Sequence, residues 1–216
     1  MPALVQQTAQ LLAFPGRGIS LRAALTPALK HHRLPEQLIE AYVREASAFD
    51  GCGIDEALTR VLAARMHFAS LDLAAAKRIF LIGPSGAGRS SVAAKIVQSA
   101  ARAGHNQLIV IDSQGFNPRN VRARAAFGCV GGRQDSETIG VVSATADAEE
   151  VSEVIATFQL KRIIVTGLDM AGRFGALAAA VTQGAQLAHV SRSAHADAPL
   201  ETLSPRELAE LLPENG

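Results

Sequence analysis

The chain has no tryptophan, a single tyrosine and only two cysteines, Cys52 and Cys129, in 216 residues. Two cysteines make neither a disulfide framework nor a metal knuckle, so both are expected as reduced packing or loop residues. Sparse aromatics argue against a protein that binds single-stranded nucleic acid by stacking bases on rings. Net charge is also nearly absent, since 21 Lys+Arg against 20 Asp+Glu leaves +1. Bulk attraction to a polyanion is therefore not the main activity, and no nucleic-acid partner is expected. No apolar run approaches the roughly 18 residues of a membrane span. The start, MPALVQQTAQLLAF, lacks the basic residues, apolar run and small-residue cleavage site of a secretory signal. The expectation that remains is a cytoplasmic α/β protein.

Two organisational regions are legible. Residues 1–75 show apolar residues at helical spacing: Leu38, Ile39, Tyr42, Val43 and Ala46, then Ile54, Ala57, Leu58, Val61 and Leu62. Thr26-Pro27 reads as a helix start, with a capping hydroxyl before proline. Leu34-Pro35 and Gly51-Cys52-Gly53 separate the helices, so a small helical N domain is expected. From residue 76 to 216 the pattern changes. Short β-rich runs at 78–82, 108–112, 140–143, 162–166 and 187–190 alternate with helical stretches at 90–103, 118–127, 148–158 and 174–183. Apolar strands alternating with helices predict a parallel sheet covered on both faces. Ser204-Pro205-Arg206-Glu207 has the spacing of a capping box and predicts a last helix.

One motif carries chemistry. Gly83-Pro84-Ser85-Gly86-Ala87-Gly88-Arg89-Ser90 matches G-x-x-x-x-G-K-[ST] at every fixed position except the lysine, which is Arg89. An apolar strand precedes it and a helical pattern follows, the context of a phosphate-binding P-loop. Glycines let successive N–H groups face a phosphate, and the helix N-terminus adds partial positive charge. Ser90, followed by Ser91, would then coordinate Mg²⁺. Arginine is longer and planar where lysine is a compact point charge, so the exchange is not conservative. An ordinary glycine-rich strand–helix turn is the plainer alternative.

With the helical front end and this loop in view, the chain resembles the signal recognition particle GTPases, and among them the flagellar-placement branch. Ala94-Lys95 is similar to the family's A-K-L, Val142-Ser143-Ala144-Thr145 to L-S-A-T, and Thr166-Gly167-Leu168-Asp169 to the guanine-reading T-K-L-D. Leu187-Ala188-His189-Val190-Ser191 follows the family's strand-end pattern. The resemblance implies a P-loop sheet preceded by a helical N domain. It implies GTP or GDP with Mg²⁺ as ligand, held by residues 83–91 with Thr166, Asp169 and Ser191. It also implies a protein partner in flagellar or signal-recognition-type targeting, pairing as a homodimer or heterodimer, with peripheral contact at the inner face of a membrane.

The departures bear on mechanism. The family's D-T-Y-R element corresponds to Asp112-Ser113-Gln114-Gly115, so the aspartate is kept as a catalytic candidate and the arginine is lost. No D-T-A-G tetrapeptide occurs, and the strand that would end in it is expected to be deleted. Gly167 replaces the lysine whose stem packs on the base. Phosphoryl transfer needs charge stabilisation, metal anchoring and an aligned water together, so weak or absent hydrolysis is expected. A nucleotide-free adaptor is the competing expectation. An active ATP-dependent NTPase would need a carboxylate on a strand beside the loop, and Asp112 is the one available. Asp169 reads equally as a base acceptor and as a cap of the following turn. His31-His32 are expected on a solvated basic face and His189 as a structural histidine. Arg119, Arg122 and Arg124, with Arg133, form the densest basic cluster.

Overall fold

The computed structural model describes residues 20–49, 51–130, 136–182 and 184–212. Helices α1 (Leu21–His31), α2 (Glu36–Ala46) and α3 (Ile54–Arg65) precede an alternation of β1 (Arg78–Ile82), α4 (Arg89–Arg102), β2 (Ile109–Asp112), α5 (Val121–Val130), β3 (Glu137–Ser143), α6 (Ala148–Phe158), β4 (Arg162–Thr166), α7 (Gly175–Thr182) and β5 (Gln186–Val190). Helix α8 (Pro205–Leu211) closes the described chain. The strands form one all-parallel sheet in the order β2-β1-β3-β4-β5. Strands β1 and β4 are buried from their second residue onward, as a sheet covered on both faces requires.

The order reverses at β1. The crossover to β2 runs one way and later crossovers run the other, so right-handed connections place their helices on opposite faces. Helix α4 packs Val92 and Ile96 against Ile79, Leu81, Ile139 and Val141 on one face. Helices α6 and α7 cover Phe80, Ile82, Val142, Ile163 and Val165 on the other. A ligand crevice is expected at such a reversal, beyond the carboxyl ends of β1 and β3.

The second apolar cluster does not stop at the start of the sheet region. Leu25, Leu29, Tyr42, Leu58 and Leu62 of the front helices join it, together with Leu208, Ala209 and Leu212 from the end of the chain. Helix α8 packs on α3, so the C-terminal segment completes the helical layer that residues 1–75 begin. Ser204 caps α8 by accepting from the Glu207 N–H at 3.2 Å, and Glu207 accepts from the Ser204 N–H at 2.7 Å, the capping box read from the sequence.

Two sequence expectations are corrected here. Thr26-Pro27 does not start a helix: Ser20 caps α1, and Pro27 lies inside it. Proline at the seventh position removes one i→i−4 donor, and the Thr26 hydroxyl takes up a nearby carbonyl, that of Arg22, at 2.8 Å. His32 is not on a solvated face either; it is 1% exposed. Its Nε2 meets the Leu212 carbonyl at 2.8 Å, and its Nδ1 accepts from the Phe174 N–H at 3.1 Å. Those partners fix the neutral tautomer with the proton on Nε2. Burial lowers the pKa of His32 below its ordinary value, reinforced by His31 and Arg173 and opposed by the Leu212 hydrogen bond.

Candidate functional site

The loop 83–88 leaves β1 and enters α4 through two left-handed residues, Gly86 at φ 81° and Gly88 at φ 82°. A side chain is disfavoured at both, and the turn they make aims the first N–H groups of α4 into one concavity. Helix α4, like α2 and α3, has no side-chain N-cap, so no side chain among the described residues caps its first N–H groups. The motif has the strand–loop–helix backbone that an anion cradle requires.

Three contacts hold the cradle from behind. Thr166, at the end of β4, donates its hydroxyl proton to the Ala87 carbonyl at 2.8 Å. Its methyl and hydroxyl stand where a Cβ on Gly88 would be, at 3.3 and 3.2 Å. The Phe116 N–H donates to the Gly83 carbonyl at 3.0 Å, drawing the segment after β2 across the loop. Gly115 lies so close that a Cβ there would stand 2.1 Å from the Ser85 hydroxyl oxygen. Thr166 was expected as a ligand contact, and its hydroxyl instead fixes the loop's shape.

Strand β2 lies directly beside β1, with Leu81 opposite Asp112. On its other side β1 pairs with β3. Both edges of β1 are therefore filled, and no strand ending in D-T-A-G is among the neighbours of the loop. This arrangement carries Asp112 to α4, where the Ser90 hydroxyl donates to Asp112 Oδ2 at 2.5 Å. Arg89 turns back toward the same place. Its Nη1 donates to the Ser113 carbonyl, lies 3.1 Å from Ser113 Oγ, and stands 3.7 Å from Asp112 Oδ1. The Arg89 side chain is 12% exposed, and its Nε is buried with no acceptor among the described residues. Asp112 Oδ2 thus accepts from Ser90, and Oδ1 faces the Arg89 guanidinium at 3.7 Å.

At the far end of the crevice, Ser191 is 2% exposed and is engaged rather than open. Lys95 reaches it from α4, donating to Ser191 Oγ at 3.0 Å and to the Ser193 carbonyl at 2.8 Å. Ser91 donates to the Ala194 carbonyl at 3.1 Å. Lys95 is itself 1% exposed. Its part in tying α4 to the end of β5 was missed in the sequence; the available signal was a lysine on the stripe Val92, Ile96 and Ala100. Asp169 differs from all of these. It is exposed on the loop after β4, and its carboxylate accepts no hydrogen bond among the described residues. The capping alternative for Asp169 therefore has no contact behind it.

Among the other residues weighed, Arg119 pairs with Glu153 at 2.9 Å. Arg122 and Arg124 are exposed, while Arg133 lies outside the described residues. Cys52 is free, and the Cys129 side chain lies outside the described atoms. His189 accepts from the Leu71 N–H at 3.2 Å, the structural role expected of it, and burial lowers its pKa. Clefts of about 280 and 250 Å³ flank Ser85, and both include Glu150 of α6.

No protein-family model and no curated protein matches the sequence. Solved structures do match the fold. A structure of FlhF complexed with GTP and Mg²⁺ superposes with a TM-score of 0.71 at 15% identity, covering 91% of this chain and all of that one. The cell division protein FtsY of Thermotoga maritima gives 0.66 at 16% identity, covering 97% of this chain and 94% of that one. The 54 kDa signal recognition particle protein of Aeropyrum pernix K1, in complex with GDP, gives 0.67 at 16%, covering 96% and 67%. This chain has the signal recognition particle GTPase fold.

A nucleotide in this fold raises the question of its magnesium. Ser90 and Asp112 offer hard oxygen donors, the type that Mg²⁺ takes. As arranged, however, Asp112 already faces a guanidinium, and an ion placed on Oδ1 would set a dication against Arg89. Lysine on a flexible stem withdraws from such a position readily; the planar fork of Arg89, engaged on the Ser113 carbonyl and hydroxyl, does not. The residues present do not fit a resident magnesium ion in this arrangement, and Ser90 is held as a donor to Asp112 rather than free as a ligand.

Proposed function

We propose that this protein binds a guanine nucleotide, with the phosphates on residues 83–91 and the base at Asp169, and hydrolyses it slowly or not at all. The observation that carries the reading is the pairing of an uncapped glycine cradle with an exposed, unpartnered Asp169 at the same end of one sheet. A carboxylate there accepts from N1–H and N2–H₂ of guanine together, which adenine does not offer. Weak turnover follows from Asp112, which is occupied by Ser90 and faced by Arg89. The fold supports a role in flagellar or membrane-protein targeting, with a protein partner and peripheral contact with a membrane.

The test is a titration of nucleotide-stripped protein with fluorescent GTP and ATP analogues. Guanine-selective saturation is expected. In Asp169→Asn the preference should fall roughly 10- to 150-fold, the equivalent of about 1.5–3 kcal/mol for a charge-assisted contact. An unchanged preference would remove Asp169 from the base site.

A second reading, a nucleotide-free adaptor, has its own support. Gly115 and Arg89 close the segment after β2 onto the loop. Ile109 and Ile111 on edge strand β2 are 49% and 39% exposed, an apolar edge of the kind that pairs with another chain. No saturation at millimolar nucleotide, with self-association lost in Ile111→Lys, would favour it over nucleotide binding.

A further inference from the structure

We infer that Arg89 is the resident cation of the phosphate cradle, so that the site takes a nucleoside diphosphate or pyrophosphate without magnesium. The inference rests on the proposed nucleotide site but concerns its charge, not its base. Three observations converge on it. The first is topological: β2 pairs with β1 directly, which delivers the carboxylate of Asp112 to the start of α4. A lone carboxylate at a phosphate site repels the ligand unless a cation neutralises it. The second is the cation itself. Arg89 bridges the Ser113 carbonyl, the Ser113 hydroxyl at 3.1 Å and Asp112 at 3.7 Å with one guanidinium nitrogen. That one group covers the β2 end, where a hydrated ion would otherwise link Ser90, Asp112 and the phosphates.

The third observation concerns the donors left over. Arg89 Nε is buried without an acceptor among the described residues, and an orphaned guanidinium N–H on the residue next to the loop is a donor that an anionic oxygen would satisfy. Guanidinium forks match phosphate oxygens bidentately, so the same side chain that silences Asp112 has further N–H groups for the ligand. A magnesium ion would compete with the guanidinium for Asp112 and gain nothing from it.

The experiment compares fluorescent GDP binding to the full chain in EDTA and in millimolar Mg²⁺, with inorganic pyrophosphate followed in parallel by its effect on the melting temperature. The wild-type dissociation constants should agree within about twofold between the two conditions. In Arg89→Lys an ammonium that bridges the same three acceptors has no N–H left for the ligand, and binding should become at least tenfold tighter with Mg²⁺ than without. Asp112→Asn should keep the two dissociation constants within about twofold of each other, whatever their absolute value. A wild type that needs Mg²⁺ by tenfold or more, or an Asp112→Asn variant that loses affinity only when Mg²⁺ is present, would overturn the inference and leave the guanine site standing. Protection by pyrophosphate in EDTA without any GDP binding would overturn the base reading and support Arg89 as the cation. Absence of both kinds of binding would overturn the two together.

Discussion

Gly175→Ala should loosen the protein at the seam between its helical front end and its sheet. Gly175 opens α7 against the end of α1, where an added Cβ would stand 2.1 Å from the His32 carbonyl oxygen, 3.0 Å from that of Arg33 and 3.1 Å from the Arg33 carbonyl carbon. All three are backbone atoms, so no rotamer relieves the contact, and the seam must widen by about an ångström. The widening acts on a site where three segments meet. His32 accepts from the Phe174 N–H, one residue before Gly175, and bonds the Leu212 carbonyl beyond α8. Overpacking costs about 1–3 kcal/mol, and leaving one buried donor unpaired costs about 1–3 more, so a loss of about 2–6 kcal/mol is expected. At about 2–4 °C per kcal/mol for a chain of this size, the melting temperature should fall by roughly 4–24 °C. Calorimetry and urea unfolding read this directly. Gly172→Ala is the internal control: a Cβ there meets nothing within 4 Å, and stability should stay within about 0.5 kcal/mol. Equal stability of the two variants would refute the seam as described.

Three further outcomes are expected. His32 and His189 both titrate below 6.5 in the fold, chiefly because burial disfavours the imidazolium. The folded state then binds fewer protons than the unfolded one, so their stabilisation is complete above pH 6.5 and is lost as the pH falls through the lowered native values; urea midpoints that stay flat from pH 7.5 to 5.5 would contradict this. Thr166→Val removes the donor to the Ala87 carbonyl and should cost about 1–3 kcal/mol, with weaker nucleotide binding. Thr182→Val removes a similar bond to Ala178 far from the loop and should leave binding unchanged, which a parallel titration checks. Ser204→Ala opens the capping box of α8 and should lower stability by about 1 kcal/mol, measurable by thermal melting.

The strands and sheet-side helices were legible because each carries its own local signal. Burial on both faces makes β1 and β4 continuous apolar runs, and their bounds match the runs at 78–82 and 162–166. Glycine spacing marked the cradle for a similar reason, since positive φ at 86 and 88 is a local demand. Of the errors, one is local and one long-range. Pro27 looks like a helix start until Ser20 is seen to cap the helix, and His32 looks solvated because Leu212, which covers it, is 180 residues away. Ala94-Lys95 is visible as a motif pair, yet the partners of Lys95, Ser191 and Ser193, are fixed only by where β5 lies. Patterning records which side of an element is covered, and says little about what covers it.

The absent D-T-A-G strand and the arginine in the loop are, in this structure, one fact. With β2 as the direct neighbour of β1, Asp112 ends beside Ser90, with the Arg89 guanidinium 3.7 Å from its other oxygen. A lysine has a single ammonium to divide between that carboxylate and the ligand. An arginine spans Asp112 and Ser113 with one nitrogen and retains other N–H groups. In this strand order the arginine that departs from the motif is the group that faces Asp112. The same reasoning separates binding from turnover. The cradle needs only its backbone turn and Thr166 behind it. Hydrolysis needs a carboxylate oxygen free to act, and Arg89 and Ser90 face both oxygens of the available one.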